Sequence, residues 1–387
     1  MRNVKDVQAE VVKQITTSFK SSSGPLWRAV VFVSHTAPYL SEVSKKYPRQ
    51  YDLLMTYHHA ITDGFTTLRV ANLFLGLLND IIAGKDIDPR EQLGEFNDGA
   101  ETETLIAERQ KKFDTDIKWK KSLEMQIEKY TQFRPIFTKY FPVLESQKEN
   151  TTKHIYHIFD ESQTKKLLNF FKYENVTVTS GFVSLANLQL VEMFKKRGCE
   201  EQMYEIPSYI TVNLRRYWEK QPETALGCHF GPLCLFTETP HDSIKNFLDY
   251  ARDINTNLQD YIVHKRTLDD CQFLNILQGT NYESMDDFFE NPPDHPQFFH
   301  STTNMGDVSS VLKGEGKHAQ ITWLSRHNSL HRYNSTLINE LQTFRGRLLV
   351  GVGYNARTIT KAVAEEYLNG ICRLMIDIIK NSVQDAE

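Results

Sequence analysis

The sequence predicts a mixed α/β fold (α+β) made of two similar halves, and three observations support this. The chain has 387 residues, which is the length of two domains or of one large bilobed unit. Predicted strands and helices alternate in both halves. Several predicted strands follow one another closely, without the strand–helix–strand rhythm of a purely parallel sheet. We place the boundary so that residues 1–148 form an N-terminal part and residues 149–387 a C-terminal part.

Composition and charge argue against several classes of protein. Hydrophobic residues make up 40% and charged residues 24% of the chain, as in a globular protein with an ample core. The formal net charge of −4 provides no electrostatic footprint for nucleic acid. No signal peptide and no long apolar run is recognisable. We therefore expect a cytoplasmic protein with no nucleic-acid partner and no membrane span, and we interpret the five scattered cysteines as ordinary thiols.

Apolar periodicity and turn residues predict the elements of the N-terminal part. In chain order, these are a helix over 5–20, strands over 26–33 and 51–59, a helix ending near 82, a polar stretch over 84–103, a helix over 104–130 and a linker over 131–153.

The same signals predict the elements of the C-terminal part. These are a strand over 154–159, a helix to 171 capped by 160–162, a helix to 194, a strand over 206–214, an extended segment over 226–236, two helices within 241–290, strands over 301–311, 318–324 and 347–354, and a helix over 361–379. Thr179 or Ser180 is the expected cap of the helix that ends at 194.

The most informative stretch is Tyr57-His58-His59-Ala60-Ile61-Thr62-Asp63-Gly64. We expect a strand to deliver the two histidines, Gly64 to permit a turn, and a helix to begin near Asp63. Side chains alternate along a strand, so His58 and His59 are expected on opposite faces. We expect the His59 side chain to face the reacting groups and the His58 side chain to pack behind it.

The residue types in this stretch point to proton transfer. A neutral imidazole has a pKa of about 6.5, so His59 can accept a proton and return it within one turnover. A carboxylate buried in the following turn needs a cationic partner. Asp63 is placed either to orient the His59 ring directly or to fix the loop that holds it. We expect its partner to be Arg215, which stands at the end of a predicted strand.

A covalent nucleophile is not indicated, because no serine elbow and no cysteine in a comparable turn accompanies the histidines. The consistent reaction is direct attack of a hydroxyl or amine on an activated acyl group, with His59 as the base. A thioester donor fits this reaction, because a thiol leaves more readily than an alkoxide. Asn304 and Asn213 are candidate oxyanion or tunnel residues. A zinc site built from His58, His59 and Asp63 is not expected.

The motif resembles that of a known superfamily. His58-His59-Ala60-Ile61-Thr62-Asp63-Gly64 matches the His-His-x-x-x-Asp-Gly signature of the CoA-dependent acyltransferases, which include chloramphenicol acetyltransferase, alcohol O-acetyltransferases and condensation domains. Weaker matches follow in the family's order: Pro25-Leu26-Trp27-Arg28-Ala29, Val176-Thr177-Val178-Thr179-Ser180, Asn213-Leu214-Arg215, Leu226-Gly227 and Thr303-Asn304-Met305-Gly306. The alcohol O-acetyltransferase branch is the most similar one.

The resemblance implies two chloramphenicol-acetyltransferase-like lobes in a V shape, with a tunnel between them in which acyl-CoA and acceptor meet at His59. It also implies that Asp63 is mainly structural and salt-bridged to Arg215. Two features depart from the family pattern. The Asp-Phe-Gly-Trp-Gly motif of the plant branch is absent, and the first lobe is expected to lack the family's opening strand and helix.

These expectations lead to three functional hypotheses. The first is a monomeric CoA-dependent O-acyltransferase that moves a short acyl group, such as acetyl, to a small-molecule alcohol. It would use acyl-CoA as co-substrate and hold no bound cofactor or metal. The second is a stand-alone condensation-type enzyme that uses a carrier-protein thioester and an amine or hydroxyl acceptor. The third is a catalytically inactive scaffold of the same fold.

Overall fold

A computed structural model describes residues 4–34, 50–88, 94–132, 139–143, 149, 151–219, 225–242, 246–271, 298–330 and 335–384. It confirms the predicted mixed α/β class. The boundary proposed between residues 148 and 149 stays a prediction.

A six-stranded mixed sheet organises the C-terminal part. Its strands are β4 (Thr152–Ile158), β5 (Met203–Asn213), β7 (Phe230–Pro240), β8 (Phe298–Asp307), β9 (Ser335–Phe344) and β10 (Arg347–Asn355). They lie in the order β4-β10-β9-β8-β5-β7. β8 runs parallel to both β9 and β5, and the other neighbours are antiparallel. β7 lies at an edge of this order, which is where a strand tolerates a proline such as Pro232.

One face of this sheet is covered by helices. Those of the C-terminal part are α5 (Glu161–Tyr173), α6 (Val178–Lys195), α7 (Phe247–Val263) and α8 (Lys361–Gln384). Inward residues of the sheet, such as Val350 and Val352, pack with Phe182 and Leu190 of α6 and with Tyr367 of α8. α6 is the central helix, since 14 of its residues are buried. Burial of this apolar surface is the main stabilising term of the C-terminal part.

The opposite face of the sheet is much more polar, as the alternation of strand residues allows. Tyr209, Ser301 and Thr303 lie on this face and line a large cavity. Segment 312–330 crosses the same face: Asn328 donates to Glu340 of β9 at 2.8 Å. The sheet therefore separates an apolar core from a polar wall.

The N-terminal part forms the other side of that cavity. It contains α1 (Val4–Thr16), β1 (Trp27–Ser34), β2 (Gln50–Tyr57), α2 (Gly64–Ile82), α3 (Ala100–Thr115) and α4 (Ile117–Gln132). β1 and β2 pair antiparallel. The short strands β3 (Glu95–Phe96) and β6 (Ala225–Leu226) pair in parallel and so link the two parts of the chain.

Helix α2 is long and apolar enough to cross a membrane by length and composition, although only 17% of its most apolar window is buried. One such helix, identified by length and composition alone, is weak evidence for a span. The expected absence of a membrane span stays a prediction.

One predicted strand is wrong. Residues 318–324 have no regular secondary structure, and the backbone groups of the first two bond to a side chain of α2 instead of to a strand. Asn79 Oδ1 accepts from the amides of His318 at 2.8 Å and Ala319 at 3.1 Å, and Asn79 Nδ2 donates to the Ala319 carbonyl at 3.0 Å.

Strand β9 was not predicted, because Asn339, Glu340 and Gln342 interrupt its apolar pattern. All three are buried. Asn339 donates to the Tyr367 hydroxyl at 3.1 Å, and Gln342 donates to the Leu324 carbonyl at 2.8 Å. Polar residues of this kind resemble a loop in the sequence until their partners are known.

Three boundaries differ from the predictions. The helix expected over 104–130 is two helices, α3 and α4, separated at Asp116, whose carboxylate accepts from the amides of Lys118 and Trp119. The cap of α6 is Thr177, which accepts from the Ser180 amide at 3.1 Å, instead of Thr179 or Ser180. The strand expected over 301–311 ends at Asp307. The second helix expected within 241–290 lies largely outside the described residues, as 272–297 are not described.

Candidate functional site

The two histidines lie just beyond the end of a strand. β2 ends at Tyr57, and His59–Ile61 form a short 3₁₀ turn. The prediction that the strand extends to His59 is therefore wrong. The His58 amide still donates to the Leu26 carbonyl at 2.8 Å, which fixes the point where the chain leaves the sheet. The side chains of consecutive residues in a tight turn point in different directions, as they do in a strand, so His58 and His59 have different surroundings.

Asp63 holds the other end of this turn. It is the N-cap of α2, and its Oδ1 accepts from the Thr66 amide at 2.9 Å. Its Oδ2 accepts from Arg215 Nη1 at 2.5 Å and from the His229 amide at 3.0 Å. The Asp63 amide donates to the Gly227 carbonyl at 3.1 Å. These bonds join the start of α2 to two segments of the C-terminal part, and the expected pair of Asp63 and Arg215 is present.

Arg215 is buried and uses its whole guanidinium group. Nε donates to the Ala225 carbonyl at 3.2 Å, and Nη2 donates to Thr66 Oγ1 and to the Gly227 carbonyl, both at 3.3 Å. A planar fork with several donors suits such a site better than an ammonium would. The local fold supports the placement, because Asn213 caps the 3₁₀ turn Leu214–Tyr217 and accepts from the Arg215 amide.

The surroundings of Asp63 keep its carboxylate ionised. Burial taken alone raises the pKa of this group, but the hydrogen bonds from Arg215 and Thr66, the charge of Arg215 and the bond from His229 together lower the pKa below its ordinary value. A permanently charged carboxylate that accepts at least three hydrogen bonds is not positioned to exchange protons with a substrate. Its geometry is that of an anchor.

The His59 ring is exposed and points toward the C-terminal part. Its centroid lies 5.0 Å from that of Phe230 in β7, and its Nδ1 lies 3.5 Å from Cys228 Sγ. If Nδ1 carries the proton, Nε2 is the basic atom. The imidazole is thus held on one side by protein groups and presents the other side to the cavity.

Cys228 places a thiol beside the histidine, which the sequence did not predict. Burial raises the pKa of this thiol to about 12, and the Asp63 carboxylate adds to the rise while Arg215 opposes it. The thiolate is the nucleophilic form of cysteine. A thiol with so high a pKa is a poor nucleophile at neutral pH.

His58 packs toward the N-terminal part. Its Nδ1 accepts from the Ala60 amide at 3.2 Å, and its ring meets Phe19 edge-on with the centroids 5.8 Å apart. These contacts match a supporting position behind His59, although His58 also borders the cavity.

Gly64 serves close packing. It lies in the first turn of α2, and a Cβ atom built there would lie 2.6 Å from Met305 Sδ. The strained backbone belongs to Gly227, which has φ = +138° and would place a Cβ 2.8 Å from the Asn97 carbonyl oxygen. The sequence predicts that Gly64 permits a turn. The structure instead gives a steric reason for a glycine at this position, which is the close approach of Met305.

The two asparagine candidates have different surroundings. Asn213 Oδ1 accepts from the amide and the guanidinium of Arg215, so this residue supports the anchor. Asn304 Nδ2 donates to Thr179 Oγ1 at 3.1 Å, and its Oδ1 accepts from the Gly306 amide at 2.9 Å. Both asparagines border the cavity. An amide nitrogen carries two protons, so Asn304 retains a second donor.

The cavity has a volume of about 1840 Å³ and is lined by both parts of the chain. We call it the central cavity. Its walls include parts of α1, β2, α2, β4, β5, β8 and segment 318–330, and His59, Asp63, Asn213, Asn304 and Phe230 border it. Such a volume exceeds that of ordinary small-molecule pockets, so two reactants fit together.

Sequence reasoning missed four residues that complete the site: Thr66, Cys228, His229 and Phe230. Gly227 enters the sequence analysis only through the weak match Leu226-Gly227. Thr66 Oγ1 donates to the Gly227 carbonyl at 2.9 Å and accepts from the Gly227 amide at 3.0 Å. The available signal was the position of Thr66 at the third residue of a helix capped by Asp63.

Among the described residues, one group has metal-ligand chemistry: His154, His327 and Glu340, whose donor atoms lie within 4.8 Å of one another. Asn328 hydrogen-bonds to two of these three side chains. Its backbone amide donates to His154 Nε2 at 3.3 Å, and its Nδ2 donates to Glu340 at 2.8 Å. The positive charge of Arg326 also acts on Glu340. We therefore assign no ion to this group.

The sequence matches no protein-family model and no curated protein. Its fold is nevertheless similar to those of solved structures. The trichothecene 15-O-acetyltransferase TRI3 from Fusarium sporotrichioides superposes with a TM-score of 0.63 at 12% identity, covering 97% of this chain and 75% of that one. The condensation domain from the Monacolin K polyketide synthase MokA superposes with a TM-score of 0.61 at 11% identity, covering 98% of this chain and 78% of that one.

The epimerization domain from the third module of tyrocidine synthetase B gives a TM-score of 0.60 at 13% identity, covering 98% of this chain and 78% of that one. At these identities the likeness establishes the fold. The chain has the fold shared by condensation domains and CoA-dependent acyltransferases, as the resemblance of its motif implied.

Proposed function

We propose that the chain is an acyltransferase that moves an acyl group from acyl-CoA to the hydroxyl of a small-molecule alcohol, with His59 as general base. The observation that carries this proposal is the placement of His59. Its exposed ring borders a cavity lined by both parts of the chain, on a turn anchored by the buried pair of Asp63 and Arg215. Since one chain supplies both walls, we propose that it acts as a monomer.

The proposed chemistry needs one residue that accepts and returns a proton. His59 Nε2 takes the hydroxyl proton of the acceptor as its oxygen attacks the thioester carbonyl. The tetrahedral intermediate collapses with cleavage of the C–S bond, and the protonated imidazole returns the proton to the leaving thiolate. No residue is acylated, which agrees with the high pKa of the Cys228 thiol.

The tetrahedral intermediate carries a negative oxygen that requires a hydrogen-bond donor. We propose Asn304 for this role. Its amide is fixed by Thr179 and Gly306 and borders the same cavity as His59. A donor that is already oriented stabilises developing charge without reorganisation.

The main alternative to this proposal concerns the acyl donor. Both condensation and epimerization domains share this fold, which favours a second candidate, a condensation-type enzyme that uses a carrier-protein thioester and an amine or hydroxyl acceptor. The two candidates share the chemistry of His59. They differ in whether free acyl-CoA or a carrier-bound acyl group is accepted.

The test is to incubate the protein with acyl-CoA donors and a panel of alcohols, following thiol release and the mass of the acylated product. The same acceptors are then offered an acyl group on a phosphopantetheinylated carrier protein. Release from acyl-CoA supports the first candidate, and release only from the carrier supports the second. No product from either donor, with a cooperative thermal melt, would contradict both and indicate an inactive scaffold.

A further inference from the structure

We infer that the central cavity contains a groove along α2 that receives a long, apolar acyl chain, so that the preferred donor is a long-chain acyl thioester. This inference rests on the proposed acyl transfer and names its substrate class. It revises the expectation from the sequence, which was a short group such as acetyl.

One side of α2 is apolar along its whole length and faces the cavity. Six of the nine α2 residues that line the cavity repeat every three or four positions: Gly64, Leu68, Ala71, Leu75, Leu78 and Ile82. This spacing keeps them on one side of a helix. With a rise of 1.5 Å per residue, the stripe spans roughly 27 Å. It carries no charge, and it begins one residue after Asp63, at the site itself.

Part of this apolar surface is covered by protein and part is not. Leu68 is buried in a small cluster with Val308, Leu312 and Phe344. Toward the end of α2, in contrast, Phe74 is 39% and Ile82 is 52% exposed, although both line the cavity. Large apolar residues that line an open cavity continuous with the site form a surface for an apolar ligand.

The facing wall extends the apolar surface. Val31 of β1 and Leu53 of β2 are directly opposite in the strand register, and both are exposed and line the cavity. Ile321 and Trp323, in the segment tied to α2 through Asn79, also border it. The chain of an acyl group can therefore lie between apolar surfaces on more than one side.

The remaining wall has the opposite character. Tyr209, Thr211, Ser301 and Thr303 lie on adjacent strands of the large sheet and present hydroxyl groups along the cavity. A hydroxyl-bearing acceptor suits this polar wall better than an alkyl chain does, because an alkyl chain gains no hydrogen bonds from it. The contrast between the two walls assigns the acyl chain to the α2 side.

The two ends of α2 are fixed to the rest of the protein. Asp63 at the N-terminus pairs with Arg215, and Asn79 near the C-terminus bonds to His318 and Ala319. This attachment explains why we assign the uncovered part of the stripe to a ligand in the cavity and not to a lipid bilayer.

Leu78 and Leu77 provide a matched pair of variants. Leu78 lines the cavity, whereas Leu77 is not one of the described residues that line it, and both are partly buried on the same helix. Leu78→Trp places an indole in the groove, and Leu77→Trp places the same group on another side of α2. Thermal melts of both variants test whether they are folded.

The experiment measures kcat/KM for acetyl-CoA and hexadecanoyl-CoA with one acceptor. We expect the ratio of the long to the short donor to exceed about ten in the unmodified protein, and to fall by about tenfold or more in Leu78→Trp but not in Leu77→Trp. A ratio near or below one in the unmodified protein, or an equal change in both variants, would overturn the inference.

Binding of dodecanoate, measured by calorimetry, separates this inference from the proposed function. If no donor releases thiol, the proposed function fails. The groove is still supported if dodecanoate binds and Leu78→Trp weakens that binding by about tenfold while Leu77→Trp does not. Failure of dodecanoate to bind, or equal binding by all three proteins, contradicts the groove whether or not acetyl transfer occurs.

Discussion

Arg215 Nη1 and Asp63 Oδ2 lie 2.5 Å apart, with side-chain exposures of 8% and 7%. The pair joins residues separated by 152 positions in the sequence and ties the turn that carries His59 to the C-terminal part. A buried ion pair is weak evidence of net stability, but the loss of one partner leaves an uncompensated charge. Its consequence here is geometric, because the bond sets where His59 stands relative to Cys228 and Phe230.

Removal of this guanidinium is expected to be costly. Arg215→Ala leaves Asp63 buried without its counter-charge and should lower the free energy of unfolding by about 3–5 kcal/mol. Urea denaturation measures the loss. Arg252→Ala is the control, since the Arg252–Glu174 pair is at the surface and should contribute less than about 1 kcal/mol. Similar losses for the two variants would contradict the anchoring role.

Stability should depend on pH through Asp63. The folded-state pKa lies below the value of 3.8, so the folded protein binds fewer protons than the unfolded chain in the acid range. The stabilisation is full above pH of about 4 and is lost as the pH falls through the folded-state pKa. The stability difference between the unmodified protein and Asp63→Asn should therefore shrink on acidification. A difference that grows toward low pH would contradict this assignment.

Glu340 should act in the opposite direction. Burial raises the pKa of its carboxyl to about 7, against the opposing effects of Arg326 and Asn328. At this site the folded protein then binds more protons than the unfolded chain between the unfolded value of 4.5 and about 7, so the contribution of Glu340 to stability falls as the pH rises through this range. Glu340→Gln should remove this fall, as denaturation at pH 5 and pH 8 would show. An unchanged pH dependence would argue against a neutral buried Glu340.

Two glycines should respond oppositely to alanine. Gly227 has φ = +138° and a Cβ there would lie 2.8 Å from the Asn97 carbonyl oxygen, so Gly227→Ala should lower stability by about 1–3 kcal/mol or more. Gly76, inside α2, has no atom within 4 Å of a built Cβ, so Gly76→Ala should raise stability by about 0.5–1 kcal/mol. Equal effects in urea denaturation would show that Gly227 is not constrained.

Cys228 distinguishes direct attack from a covalent mechanism. A thiol with a pKa of about 12 should form little thiolate at neutral pH. Cys228→Ala is therefore expected to retain activity within about tenfold, since it alters only a contact of the His59 ring. An acylated Cys228 in intact-mass spectra, together with complete loss of activity in Cys228→Ala, would contradict direct attack.

Much of this architecture follows from local sequence signals. The apolar spacing of α2, the capping position of Asp63 and the neighbouring histidines His58 and His59 can all be read from residues close together in the sequence. The pairing of Asp63 with Arg215 was predictable because a buried carboxylate needs a cation.

Other features depend on contacts distant in sequence. Cys228 reaches His59 across 169 positions, and no local pattern marks it. β9 was missed because Asn339 and Gln342 are polar residues that are buried and donate hydrogen bonds inside the protein. The false strand over 318–324 has the opposite cause, since side chains supply backbone bonds there: Asn79 bonds His318 and Ala319, and Gln342 bonds Leu324.

The central claim is that His59 is the general base of acyl transfer, and the rate of thiol release in His59→Ala tests it most directly. With acyl-CoA and an acceptor alcohol, the variant should be about 10²–10⁴-fold slower than the unmodified protein. Its thermal melt should be unchanged, because the His59 ring is exposed. Thiol release by folded His59→Ala at the rate of the unmodified protein would contradict the account.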